Sequence, residues 1–406
     1  MNLGGRSSPL LAVAAALFLL SACAAPPQDA ARPTAHGSPG EVFTFEPGLE
    51  VTVLQDGLAV PWDLAFLPDG RMLVTERVGR INVFASAAPD APLLGTTAIP
   101  DVLRLGEGGG LGVAVDRDFA SFPFAYVCAT RDFDGADGPM PAENQLLRYR
   151  VESNATLVLD GPPLLSGMRA HEHHDGCAVE MDVASHLWVT MGDANTARSE
   201  NLAQDPNSLN GKVLRINRDG SIPEDNPVLP GASGPSAVFS MGHRNPQGVA
   251  IRPDGLVMAA EHGTDRDDEL NHIVPGGNYG YACWSATDTL GPAQEQEGPA
   301  KEGCGGSAEY LPAAWASGSP TVATSGATFL GAGWGDWEGD LVVTTLKDED
   351  LRLFEISADG VSATQLAVLL DGEFGRLRAA TIGPDGALYL TTSNDVNDLV
   401  LRLVRR

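Results

Sequence analysis

An apolar strand, a Pro-Asp-Gly turn and a second β-rich strand recur along this chain, and no other feature constrains its fold as much. The clearest copies are Trp62–Gly70 followed by Arg71–Glu76, Gly248–Gly255 followed by Leu256–Glu261, and Ala379–Gly386 followed by Ala387–Thr392. Leu111–Phe119, Cys177–Asp193 and Ser325–Leu346 are degenerate copies. Apolar residues alternate within these runs, the period of a half-buried strand. The Asp-Gly tips suit hairpin turns, because a residue at positive φ is cheapest as Gly. No convincing amphipathic helix appears between them. Six units spaced by about 48 to 78 residues predict an all-β fold, a six-bladed β-propeller with four-stranded antiparallel blades. In such a fold the loops at one end of the inner strands surround a central cavity, and function is expected there.

The first residues set the compartment. Arg6 precedes the apolar run Leu10–Leu20, too short to span a bilayer as a mature helix and suited to a signal-peptide core. The run ends in Leu20-Ser21-Ala22-Cys23, which resembles a bacterial lipobox. That resemblance implies a signal peptide over residues 1–22, lipidation of Cys23 and anchoring in the cell envelope on the periplasmic side of the outer membrane. An ordinary signal with Ala-rich cleavage is the alternative. Residues 23–41 are poor in large apolar side chains and are expected to be a flexible tether. Residues 42–406 then form the propeller domain.

Asp and Glu number 53 against 26 Lys and Arg, a formal charge of −27. Such an acidic chain excludes nucleic acid and anionic lipid as expected partners. A local cluster of cations is correspondingly informative. Four cysteines follow Cys23: Cys128, Cys177, Cys283 and Cys304. An even number in an exported chain suggests disulfides. Cys283 and Cys304 bracket a Gly/Pro-rich loop and are expected to pair, whereas Cys128 and Cys177 either pair or remain buried thiols. With no CxxC, thiol redox chemistry is not expected.

Polar residues gather in the loops. The run His171-Glu172-His173-His174-Asp175-Gly176 nearly spells an HxHxDH metal motif, but Gly176 stands where the last His belongs. A His on a propeller loop also suits a general base. Arg376 and Arg378 flank Leu377 on one side of a strand, and with Lys347 they suggest a cationic pocket for a polycarboxylate or phosphate. The acidic loop Asp265–Glu269 offers hard oxygen ligands for calcium, or is simply a solvated turn.

Several motifs in one order resemble the soluble PQQ-dependent aldose sugar dehydrogenases, the glucose/sorbosone dehydrogenase family, from about Val60 to the C-terminus. They include Pro61-Trp62-Asp63, Gly106-Glu107-Gly108-Gly109, Asn210-Gly211-Lys212, Arg244-Asn245-Pro246-Gln247-Gly248, Asp268-Glu269-Leu270-Asn271 with Gly277-Asn278-Tyr279-Gly280, Leu346-Lys347-Asp348 and Gly375-Arg376-Leu377-Arg378. The resemblance implies a sugar-oxidising chemistry with pyrroloquinoline quinone (PQQ) and Ca2+ in the central cavity and an external electron acceptor. It implies that His174 is the catalytic base and that Arg244 and Asn245 lie beside the quinone carbonyls. Glu107, Lys347, Arg376 and Arg378 would face the cofactor. Carbonyls of Gly263 and Thr264 would hold one calcium, and Glu269 and Tyr279 a second, structural one. A monomer or homodimer is expected. Two departures stand out: Ala178 where the family often has Arg, and Thr264 where Pro is usual. A non-catalytic propeller binding a glycan or protein, and a calcium-dependent lactone hydrolase, are the alternatives.

Overall fold

The computed structural model describes residues 37–132, 142–197, 200–283 and 310–406, besides Met1. The expected signal peptide, Cys23 and most of the tether lie outside the described residues, as does Cys304 with its expected pairing to Cys283. Six antiparallel sheets form a six-bladed propeller. Their innermost strands are Pro61–Phe66, Gly110–Val115, Gly176–Met181, Pro246–Ile251, Thr324–Phe329 and Leu377–Ile382. Each begins one of the repeats seen in the sequence, and each pairs with the strand after its turn.

Four blades have four strands each. In the second blade, Leu157–Leu159 and Leu165–Arg169 both pair with Ala142–Val151, dividing the outer position between them. The sixth blade is closed by the other end of the chain. Leu49–Leu58 pairs with Asp398–Arg405, and Val42–Phe45 adds a fifth strand outside it. Thus the N-terminal segment seals the ring and leaves no open seam.

Neighbouring blades approach closely because small residues recur at one position of the inner strands. A Cβ on Gly112, Gly248 or Gly326 would lie 2.4, 2.2 or 2.5 Å from a backbone oxygen of the next blade. The first blade has Asp63 at that position, and its Oδ2 accepts the Val113 N–H at 2.9 Å. Threonines bridge the same seams: Thr75 Oγ1 donates to Leu111 O at 2.6 Å and Thr344 Oγ1 to Arg378 O at 2.7 Å. Apolar clusters fill the space between blades. Cys128 and Cys177 form a disulfide that ties the second blade to the third, deciding between the two states left open by the sequence. Among the described residues no helix is long and apolar enough to cross a membrane.

Candidate active site

Residues just before each inner strand and just after each second strand share one end of the propeller. That end collects Arg77, Glu107, His174, Asp193, Arg244, Asn245, the His262–Thr264 run, Lys347 and Arg376 from all six blades. Below them an axial cavity of about 210 Å³ runs between the inner strands, with Trp62, Gln247 and Arg378 among its lining.

Glu107 is the hub. Its Oε2 accepts the His174 main-chain N–H at 3.0 Å, Asn245 Nδ2 at 3.1 Å and Gln247 Nε2 at 3.2 Å. Gln247 in turn accepts Arg378 Nη1 on Oε1 at 2.6 Å. Burial alone would raise the Glu107 pKa, but His262, His174, the Asn245 amide and Arg378 outweigh it and hold the group below its ordinary range. One carboxylate therefore fixes three blades and one guanidinium in a common arrangement.

His174 stands in the turn before the third inner strand, at φ 67°. Its Nδ1 lies 2.6 Å from Asp193 Oδ1. Asp193 is fully buried and also accepts the N–H groups of Asn195, Thr196 and Ala197 at 3.0, 3.1 and 3.1 Å. So many donors keep it an acceptor, which places the imidazole proton on Nδ1 and leaves the Nε2 lone pair available. Among the described residues nothing hydrogen-bonds to Nε2. This is the geometry of a base held by a carboxylate.

The turn carrying Asp193 is itself clamped. Gly192 O accepts Gly211 N at 2.9 Å and Asn210 Nδ2 at 3.0 Å. Lys212 is buried completely, and its Nζ donates to Leu202 O, Ala203 O and Asn210 O at 2.7, 3.0 and 2.6 Å. Burial pushes the Lys212 pKa down to about 7, with Asp205 and Asp193 pulling the other way. Three carbonyl acceptors match the three N–H donors of the ammonium.

Arg244 donates its main-chain N–H to Glu261 and its Nη1 to His262 O at 3.2 Å. Burial holds His262 below the ordinary imidazole range. Arg378 is buried, with its guanidinium 5.4 Å from the Trp62 ring. Its pKa falls to about 9 through burial, with Arg376 and Arg77 adding to the depression. The strand starts at Leu377, and exposed Arg376 precedes it, donating Nε to Ser393 O at 3.1 Å while lying close enough to Arg378 to act on its charge. Lys347 is exposed on the fifth blade, where Nζ donates to Thr321 Oγ1 at 3.1 Å.

Polar atoms without partners concentrate at this end. The buried Nε atoms of Arg77, Arg244 and Arg378 have no acceptor, and His262 Nε2 and Thr264 Oγ1 lack partners too. A buried guanidinium N–H without an acceptor is costly, so the site is built to receive an anion.

The acidic loop has less to offer a metal. Asp268 accepts Gly263 N at 2.7 Å and Val322 N at 2.6 Å, and Asp267 pairs with Arg266 at 2.6 Å. Glu269 differs. Burial, with Glu261 beside it, raises its pKa to about 8. Asn271 Nδ2 donates to both carboxylates at 3.1 and 3.2 Å, while Asn271 Oδ1 is buried without a partner. An acid pair, Glu261 buried and Glu269 half-buried, beside an orphaned amide oxygen fits a hard cation. The Tyr279 hydroxyl donates to His272 O and its ring stacks on His243 at 4.6 Å, so only its main chain remains for a metal. Among the described residues no group of three His, Cys, Asp or Glu is placed to hold a metal, which disposes of the HxHxDH reading.

The model of the glucose / sorbosone dehydrogenase family matches residues 58–401. The chain belongs to that family. It is 32% identical over 361 residues to aldose sugar dehydrogenase YliI of Escherichia coli K12, covering 87% of this chain and 92% of the relative. A Thermus thermophilus oxidoreductase described as a glucose dehydrogenase superposes with a TM-score of 0.71 at 35% identity, over 88% of this chain and all of that one. The PQQ-bound aldose sugar dehydrogenase of Streptomyces coelicolor gives a TM-score of 0.67 at 28% identity, over 90% of this chain and 100% of its own.

Within this family member, sequence reasoning missed Asp193, Gln247, His262 and Arg77 as parts of the site. Asp193 is one of 53 acidic residues and lies 19 positions from its histidine. Its only local signal is its place directly after a blade strand, in Met191-Gly192-Asp193.

Proposed function

We propose that this protein is a PQQ-dependent sugar dehydrogenase that oxidises the C1 hydroxyl of aldoses to lactones. The observation that carries the proposal is the convergence, at one end of the propeller, of a base with an open Nε2 and three arginines, Arg77, Arg244 and Arg378, whose buried Nε atoms have no acceptor. PQQ has three carboxylates, so its charge and that donor set match. When bound, PQQ accepts the C1 hydride and passes the electrons on to an external acceptor.

The chain's own residues then have separate tasks. His174 Nε2 takes the proton of the C1 hydroxyl, and Asp193 stabilises the imidazolium that results. Arg244 lies where it can stabilise negative charge developing on an oxygen near the base. Glu107 keeps His174, Asn245 and Gln247 in register, and Gln247 steers Arg378. Arg376, Arg378 and Lys347 supply positive charge toward the cofactor carboxylates. Carbonyls of Gly263 and Thr264 would hold a calcium ion that withdraws electron density from the quinone. Glu269, beside Glu261 and Asn271, would hold a second, structural calcium.

The same reading extends to the compartment. An exported protein anchored through a lipidated Cys23 is consistent with the Cys128–Cys177 disulfide, since such bonds persist in oxidising compartments. A monomer or homodimer facing the periplasm completes the proposal.

The test is titration of the purified chain with PQQ, with and without calcium, followed by aldose-dependent reduction of an artificial dye. Saturable binding with turnover on several aldoses is expected. Tight binding without turnover would remove the substrate class, and no binding by folded protein would remove the function.

A further inference from the structure

We infer that Arg77 is a further cofactor-binding residue, whose guanidinium receives a carboxylate of PQQ. The inference rests on the PQQ reading above. Arg77 follows the second strand of the first blade, so it emerges at the site end. Its neighbour Glu76 is fully committed elsewhere, accepting Ala59 N at 2.6 Å, Asn82 Nδ2 at 2.6 Å and Arg80 Nε at 2.8 Å. The Arg77 main chain is fixed as well: its N–H donates to Val60 O at 3.0 Å, and a Cβ on Gly109 would lie 2.1 Å from its carbonyl oxygen.

The side chain is held at one corner only. Nη2 donates to Gly106 O, beside Glu107, whereas Nε is buried with no acceptor. No carboxylate forms an ion pair with Arg77 among the described residues. The charges facing it are Arg104 and Arg378, which repel it, and Glu107, Asp175 and Asp395, which attract it. Arg104 is turned toward Asp395, at 3.8 Å, and Glu107 Oε2 is already engaged by three donors.

Two half-satisfied guanidinium groups, Arg77 and Arg378, thus share one electrostatic neighbourhood, in which Glu107 attracts both but among the described residues forms an ion pair with neither. A buried guanidinium N–H with no acceptor is destabilising unless a ligand compensates it. Arg is the side chain suited to receive a planar carboxylate with paired N–H donors. A purely structural role, holding the Glu107 loop through Gly106 O, would need neither the orphaned Nε nor the proximity to Arg378.

The experiment titrates the cofactor-free full chain with PQQ and follows quenching of tryptophan fluorescence, with Trp62 next to Arg378 as the internal reporter. Arg77→Gln is expected to raise the PQQ Kd about tenfold or more. Arg104→Gln, half-exposed, should stay within about twofold of wild type. Arg378→Gln serves as the reference for the pocket. An unchanged Kd in Arg77→Gln, with a weakened Arg378→Gln, overturns the role of Arg77 alone. Absence of binding by the wild type would instead remove the PQQ reading on which the inference stands. If Arg77→Gln fails to fold, Arg77→Lys carries the test. A lysine cannot both hold Gly106 O and present a planar fork, so its Kd should rise, and a wild-type Kd overturns the proposal.

Discussion

Adjacent blades each carry a histidine–carboxylate pair in the loops at the same end of their inner strands, and only one pair has a reactive nitrogen left over. His174 and His243 both precede an inner strand, and Asp193 and Glu261 both stand at the end of the neighbouring second strand. The Nδ1 contacts are alike, 2.6 Å to Asp193 and 2.8 Å to Glu261. The other nitrogen differs. His243 is fully buried, its Nε2 is 2.9 Å from Ser240 Oγ, and Tyr279 covers its ring. His174 Nε2 has no hydrogen-bond partner among the described residues. On the proposed function one dyad is a structural tie and the other a base, and the second nitrogen decides which.

The most damaging break of the catalytic pair is Asp193→Asn, which should lower kcat by about 10²–10³-fold while PQQ affinity stays within about threefold. Steady-state kinetics beside PQQ titration checks this. Equal loss of binding would make Asp193 a scaffold for the pocket rather than for the base. His243→Ala breaks the structural pair and leaves Glu261 buried with fewer partners. It should lower stability by about 3 kcal/mol in urea unfolding, with kcat of the folded fraction changed less than tenfold. A loss of turnover without loss of stability would reverse the assignment of the two dyads.

Lys212→Met tests whether the clamp on the Asp193 turn matters to the base. Removing an ammonium that serves three carbonyls should destabilise the chain by about 1–3 kcal/mol. It should also lower kcat severalfold, with the aldose KM little changed. An unaltered kcat would confine Lys212 to stability.

Asp63, half-buried beside the axial cavity, sharpens the contrast among the carboxylates. It receives only the Val113 and Leu64 N–H groups, so burial wins and lifts its pKa to about 7, with Glu180 adding to the rise. The folded-state value lies above the ordinary one, so the native state holds the proton more tightly than the unfolded chain. The stabilisation is full below about pH 4 and is lost as pH rises through about 7. Asp63→Asn should therefore gain stability relative to wild type at pH 8 compared with pH 5, on the order of 1 kcal/mol. Unfolding midpoints that shift equally at both pH values would contradict the placement of that proton.

Much of the fold was legible because each blade announces itself locally. The Pro-Asp-Gly turns and alternating strands are short-range signals, and all six repeats begin at observed inner strands. Closure of the ring by Leu49–Leu58 was not legible, since its partner Asp398–Arg405 lies at the far end of the chain. The site divides the same way. His174, Arg244, Asn245 and the C-terminal cations were found through motifs, whereas Asp193, His262 and Arg77 act through contacts between loops and blades that no local pattern encodes.

The most direct test of the account loads His174→Ala and His243→Ala with PQQ and mixes each anaerobically with an aldose, following reduction of the bound cofactor in a single turnover. The account predicts that both variants bind PQQ, that His243→Ala reduces it at a rate near wild type, and that His174→Ala slows about 10²–10⁴-fold. Normal reduction by His174→Ala would contradict the central claim that the unengaged nitrogen of His174 is the base.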